Sequence, residues 1–316
     1  MLRQRLVSGS LLGAAIILLV LLDAYLASTP RPIVQLQIYG VDLSQWVCNG
    51  LISTAIVLVL TWLTVGELIG FARAMGCEPF DWIAKVFAAG LVLGPYVSYN
   101  LKFGSAYRDE SWGMLALAVA IGLAFFAQAA WRRAHHAMLN LSTTLFILFY
   151  TGGLAGFMPR LRLEVTGSSG ALLLLFSVLV VKSTDMGAYF IGSLIGRNKL
   201  IHWLSPKKTW EGFLGGLLVA VLVSVGVGHL LIYGGYLPLS TQLGGPVVAL
   251  SIFGALAGIT SVAGDLCASL LKRDAEVKDS GQALPGMGGI LDVLDSPLLA
   301  APVVWFFWTR VVGLSH

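Results

Sequence analysis

Apolar residues run through this chain in long blocks divided by short polar stretches. A helix needs about 20 mainly apolar residues to cross a bilayer. Nine blocks qualify: 8–28, 49–73, 82–99, 112–131, 137–157, 170–193, 212–233, 245–270 and 289–313. The first follows MLRQRLVSGS, with Arg3 and Arg5, and its apolar run is longer than the core of a signal peptide, so it is read as a retained span. Asp23, near its far end, is placed at the membrane interface, and Glu67, deep in the second block, is paired with Arg73. The pattern predicts an all-α polytopic membrane protein with about nine transmembrane helices. An N-terminal region of about five spans covers 1–159, and a region of about four spans with two motif loops covers 160–316.

Composition agrees with that class. The chain is 57% apolar and 11% charged, against roughly 25% charged in a soluble domain. With nine spans and a cytoplasmic N-terminus, thirteen Lys and Arg residues face the cytoplasm and six face the other side, the sense expected from the positive-inside rule. Whatever the absolute orientation, the loops 194–211 and 271–288 are separated by two spans and lie on one side. They are the most charged loops of the second half, whereas 234–244 between them carries no charge. Cys48, Cys77 and Cys267 have no metal-type spacing and read as apolar fillers. No G-x-x-x-x-G-K-[ST], G-x-S-x-G or H-E-x-x-H motif is present.

Three constellations carry candidate chemistry. In Lys182-Ser-Thr-Asp185-Met-Gly187-Ala-Tyr189-Phe190, an acid sits inside an apolar helix. It is tolerated there if it pairs, with Lys182 as the near partner, or if it lines a polar chamber, with Gly187 admitting a close helix neighbour. In Ser205-Pro206-Lys207-Lys208-Thr209-Trp210-Glu211-Gly212, Ser205 reads as an N-cap and Pro206 as the first helical residue. A helix N-terminus with two lysines and a hydroxyl suits a phosphate, although basic loops also meet lipid headgroups. The third runs from Gly264 to Ser296. Asp265, Ser269 and Lys272 share one helix face, Arg273 follows, and Lys278-Asp279, Gly288-Gly289, Asp292 and Asp295 come after it. Carboxylates with basic neighbours and glycines ask for a hard cation and a polyanion, and no His–Cys set favours zinc or a redox metal.

At these residues the chain resembles the phosphatidate cytidylyltransferase (CDP-diacylglycerol synthase) family. That family's S-x-x-K-R-x4-K-D and P-x-H-G-G-x-x-D-R-x-D stand here as Ser269-Leu-Leu-Lys272-Arg273…Lys278-Asp279 and Pro285-Gly-Met287-Gly288-Gly289-Ile-Leu-Asp292-Val293-Leu-Asp295. Its D-x-G-A-Y-F and S-P-K-K-T-W-E-G match Asp185–Phe190 and Ser205–Gly212 throughout. The fit covers the second half from about residue 160, whereas the first five spans match mainly in hydropathy. Two positions depart: Met287 replaces the family histidine and Val293 its arginine. The preferred reading is that neither is indispensable, with a degenerate member as the alternative.

The resemblance implies transfer of the cytidylyl group of CTP to phosphatidic acid, giving CDP-diacylglycerol and pyrophosphate for phospholipid biosynthesis. It implies Mg²⁺ at Asp265, Asp292 and Asp295, with or without a second cation. Lys272, Arg273, Lys278 and Asp279 would complete the catalytic wall. Asp185, Ser205, Lys207, Lys208, Thr209, Glu211, Ser269, Gly288 and Gly289 would bind substrate. The partners implied are CTP, phosphatidic acid and membrane lipids, with no nucleic acid and with a homodimer left open. The setting implied is an inner membrane with the site facing the cytoplasm. A CTP-dependent lipid kinase and an ion-coupled transporter are the alternatives.

Overall fold

A computed structural model describes residues 2–29, 37–38, 41–42, 44–101, 111–165, 167–237, 243–277, 280–281 and 288–314. Helix α1 (Leu2–Ser28) precedes a small ribbon, β1 (Gln37–Ile38) with β2 (Val41–Asp42), and the short α2 (Ser44–Cys48). Next come α3 (Leu51–Ala74), α4 (Asp81–Asn100) and α5 (Ser111–Ala127), the last prolonged to Arg132 by a π-helical turn. α6 (Ala137–Leu148) passes through a second π turn, Phe149–Gly153, to α7 (Phe157–Glu164). α8 (Gly167–Ile195) leads into the antiparallel hairpin β3 (Lys199–Ile201) and β4 (Ser205–Thr209). α9 (Trp210–Tyr233), α10 (Pro246–Asp274) and α11 (Leu291–Phe306) complete the chain, and a third π turn carries α11 to Val311.

Among the described residues eight helical segments are long and apolar enough to cross a membrane, and Gly13–Ser28 of α1 adds a shorter apolar one. The expected count of about nine holds. Leu18, Leu218, Leu222 and Leu230 stand exposed on the bundle surface, which suits helices bathed in hydrocarbon rather than water. Prolines inside α4 (Pro95) and α11 (Pro297, Pro302) are tolerated in such helices because neighbours re-satisfy the freed backbone groups.

α8 is the axis of the C-terminal half and packs against α9, α1, α10, α7 and α11. Without a hydrophobic drive between helices in lipid, small residues set these contacts by letting backbones approach. A Cβ on Gly187 would lie 2.7 Å from the Cβ of Val219 on α9, so the expected close helix approach is realised there.

Three local expectations are corrected. Asp23 does not meet water or headgroups: it is fully buried within the protein, and its Oδ2 accepts from Arg162 Nε at 2.6 Å and from Ser53 Oγ at 2.8 Å. A cation on α7 therefore neutralises the acid where no water can. Glu67 does not pair with Arg73: Arg73 meets Asp81 at 2.6 Å, whereas Glu67 turns to α11. Ser205 and Pro206 do not start a helix. They open β4, and Ser205 sits opposite Ile201. The helix begins at Trp210 with Thr209 as its N-cap, the Thr209 hydroxyl accepting from the Gly212 N–H at 3.1 Å.

Candidate active site

The two motif loops meet. Arg273 Nε at the end of α10 donates to the carbonyl of Leu204 in the hairpin at 3.4 Å, and Lys208 of β4 pairs with Asp265 of α10 at 2.8 Å. The inference from parity that both loops share one side is realised as direct contact.

Each of the three acids expected to hold a cation is paired with a different lysine. Asp265 pairs with Lys208. Asp292 pairs with Lys272 at 2.7 Å, and Asp295 with Lys182 at 3.5 Å. Lys182 also reaches Asp185, one helical turn on, at 3.3 Å. Asp185 accepts from Ser261 Oγ on α10 at 2.8 Å and from Ser296 Oγ on α11 at 3.2 Å. Asp295 accepts from the Ser296 N–H at 2.6 Å and lies within electrostatic reach of Asp265 and Asp185. The result is a polar seam between α8, α10 and α11, mostly withdrawn from solvent, in which no carboxylate lacks a cation.

The seam is closed at Gly264. A Cβ there would run into the backbone carbonyl of Asp295 and the Cα of Ser296. Only glycine lets α10 and α11 touch at this level. Gly264→Ala is expected to push the helices apart and to cost about 1–3 kcal/mol, as for an overpacked core. A melt of the detergent-solubilised variant checks this, and an unchanged midpoint would refute it.

At the start of α11, Asp292 organises the described part of the signature loop. Its Oδ2 accepts from the Ser280 N–H at 3.1 Å, the Ser280 hydroxyl at 2.8 Å and the Gly289 N–H at 3.0 Å. Ser269 donates to Asp265 at 3.4 Å, and Lys207 is exposed on β4. Glu211 points away from the seam: it accepts from the Arg197 and Asn198 N–H groups and from Asn198 Nδ2, bracing the hairpin against α9. Lys278, Asp279 and Met287 lie outside the described residues, while Val293 is half-buried on α11.

Sequence reasoning treated Lys182 only as a partner for Asp185, and it missed Ser261, Ser280, Ser296 and the role of Glu67. Ser261 had a signal, since it extends the Asp265–Ser269 stripe by one more step of four. Lys182 reaches Asp295 only because α8 and α11 are neighbours, which no spacing shows.

The chain matches the family model described as "Cytidylyltransferase family" over residues 30–311. The chain belongs to the cytidylyltransferase family. It is 32% identical over 279 residues to a phosphatidate cytidylyltransferase of Synechocystis sp., covering 81% of this chain and 87% of that protein. It is 33% identical over 257 residues to the Helicobacter pylori protein of the same name, with 81% and 85% covered. Phosphatidate cytidylyltransferase 5, chloroplastic, of Arabidopsis thaliana is 30% identical over 287 residues, with 82% of this chain and 66% of that one covered. Membership makes the chain a nucleotidyltransferase and sets the transporter alternative aside. It also extends the likeness into the N-terminal half, where sequence reading saw little beyond hydropathy.

The carboxylates of the seam offer hard oxygens, which fit Mg²⁺ rather than a soft metal. Among the described residues no group of three or more His, Cys, Asp and Glu is placed to hold a metal ion. Mg²⁺ is usually bound through one or two carboxylates plus substrate phosphates rather than by an all-protein cage. Directly beneath the polar seam, α7, α8 and α11 line an apolar crevice that includes Val181, Pro297, Ala300 and Val304.

Proposed function

We propose that this chain transfers the cytidylyl group of CTP to phosphatidic acid, releasing pyrophosphate, at the seam between α8, α10 and α11. The observation that carries the reading is the set of three Asp–Lys pairs gathered from four elements into one seam. An oxygen of the lipid phosphate attacks the α-phosphorus of CTP. The bond from that phosphorus to the bridging oxygen breaks, and pyrophosphate leaves with the electron pair. The attacking phosphate is ionised at neutral pH, so the step needs no strong general base, and Met287 in place of a histidine does not forbid it. Such transfers depend on positioning and on neutralising phosphoryl oxygens.

Lys208, Lys272 and Lys182 are already held at the acids by ion pairs, so each ammonium group is in place to turn toward an arriving phosphate. Lys207 and Arg273 extend the basic wall at the hairpin. Mg²⁺, held through one or two of Asp265, Asp292 and Asp295, would supply charge neutralisation on the nucleotide phosphates. The N-terminus and the motif loops are assigned to the cytoplasmic side of a cell membrane, on the strength of the basic-residue bias.

Incubating purified protein with Mg²⁺, phosphatidic acid and CTP, dCTP or ATP tests the proposal. Liponucleotide with the cytidine nucleotides is expected. No liponucleotide from any of them would overturn it.

A further inference from the structure

Glu67 lies on α3, in the N-terminal half and outside every signature motif. Its Oε1 accepts from the Ile290 N–H at 2.7 Å and its Oε2 from the Leu291 N–H at 2.9 Å. Those are the first amides of α11, the helix that carries Asp292 and Asp295. The first N–H groups of a helix have no partner within it, and a carboxylate placed there also meets the positive end of the helix dipole. Two glycines of the signature loop are pressed onto the same carboxylate. A Cβ on Gly281 would lie 2.8 Å from Glu67 Oε1, and one on Gly289 would run into both carboxylate oxygens and the Ser280 hydroxyl. Ser280 and Gly289 are in turn the groups that hold Asp292 Oδ2. An acid seven residues from the end of a membrane helix is costly unless it does something specific.

We infer that Glu67 is a positioning residue for the reaction: it clamps the Gly-rich loop to the start of α11 and so sets where Asp292 and Asp295 stand. The inference rests on the cytidylyltransferase reading of the site, and it gives the N-terminal half a direct part in building that site. Among the described residues Glu67 makes no hydrogen bond or ion pair with the lysines or acids of the seam, so it acts through the loop. Glu67→Gln keeps the size and one acceptor, but turns an amide N–H₂ toward a backbone N–H. Glu67→Asp keeps the charge and draws it back by one carbon.

The test uses the full-length protein in detergent and begins with wild-type turnover. Failure of the wild type to form liponucleotide would count against the proposed function and leave the clamp to be judged by hydrogen exchange alone. With an active wild type, Glu67→Gln is expected to lower kcat roughly 10- to 100-fold, the range usual for groups that support a site from behind. KM for CTP is expected to change by less than about threefold, because no substrate contact is removed. Exchange at whichever of the Ile290 and Leu291 amides faces the new N–H₂ group is expected to speed up at least about tenfold, since that amide loses its partner. Glu67→Asp is expected to fall between the two in both readouts, and it decides the matter alone if the Gln variant does not fold. Wild-type kcat in the folded variants, or unchanged protection of both amides, would overturn the inference, as would a loss confined to KM.

Discussion

Asp292→Asn is expected to lower Mg²⁺-dependent release of pyrophosphate from CTP by roughly 100-fold or more, while the protein still folds. The substitution preserves shape, so its effect isolates charge and hydrogen bonding. Asp292 uses both oxygens: Oδ1 takes the Lys272 ammonium, and Oδ2 takes two donors from Ser280 and one from Gly289. An asparagine has one acceptor oxygen. If that oxygen faces the loop, its N–H₂ group faces Lys272 and leaves the ammonium without a counter-charge. If it faces Lys272, the N–H₂ group confronts three donors. Either rotamer removes a negative charge from a site that must receive a polyanion with its cation, and either disturbs the loop. The stability cost is expected to be about 1–3 kcal/mol, that of leaving one buried donor unpaired. A coupled pyrophosphate assay beside a thermal melt separates the two effects. Full turnover in the folded variant would remove Asp292 from the catalytic set.

The second large effect concerns folding rather than chemistry. Asp23→Ala leaves Arg162 buried, with its charge uncompensated and, among the described residues, the Gly167 carbonyl as its remaining acceptor, at 3.2 Å. Removing one partner of a buried pair typically costs about 3–5 kcal/mol. The melting temperature of the detergent-solubilised protein is expected to fall sharply, with α1 the first element to come loose, because this pair ties it to α7. The double change Asp23→Leu with Arg162→Met should recover most of the loss, since apolar residues of similar volume replace a buried pair at little or no penalty. A single variant as stable as the wild type, or a double variant worse than the single, would show that the pair does not hold the helix.

Both predictions concern acids, and the two were unequally legible. Asp292 stands in a dense run of charge, glycine and proline at a helix mouth, and such a run between apolar blocks declares itself. Asp23 is a lone acid near the end of an apolar block. Its neighbour in sequence is the water side of the membrane, and its real partner lies 139 positions away. Lys182 and Glu67 share that difficulty. Each was visible as a charge inside a span and was given the nearest partner along the chain, which holds for Lys182 with Asp185 but misses Asp295, and fails for Glu67 with Arg73, because local spacing is all that a one-dimensional reading can measure. The hairpin at Lys199–Thr209 failed for another reason. Ser-Pro is a good helix start by propensity, but here the strand pairing with β3 and the Glu211 bracing of the Arg197–Asn198 turn outweigh it.

The sequence by itself determined the membrane class, the number of spans to within one, and the common side of the two motif loops. It also singled out Asp185, Asp265, Asp292, Asp295, Lys208 and Lys272, which the proposed site uses. These follow from composition, from the fixed length a helix needs to cross hydrocarbon, and from the parity of crossings, none of which requires knowing which helix touches which. Tertiary structure alone decided the pairings: Lys208 with Asp265, Lys272 with Asp292, Lys182 with Asp295, and Glu67 with the start of α11. Those depend on the rotation and closeness of neighbouring helices. In a bilayer, side-chain packing at contacts such as Gly264 and Gly187 sets both, and hydrophobic pattern cannot, because almost every face of these helices is apolar.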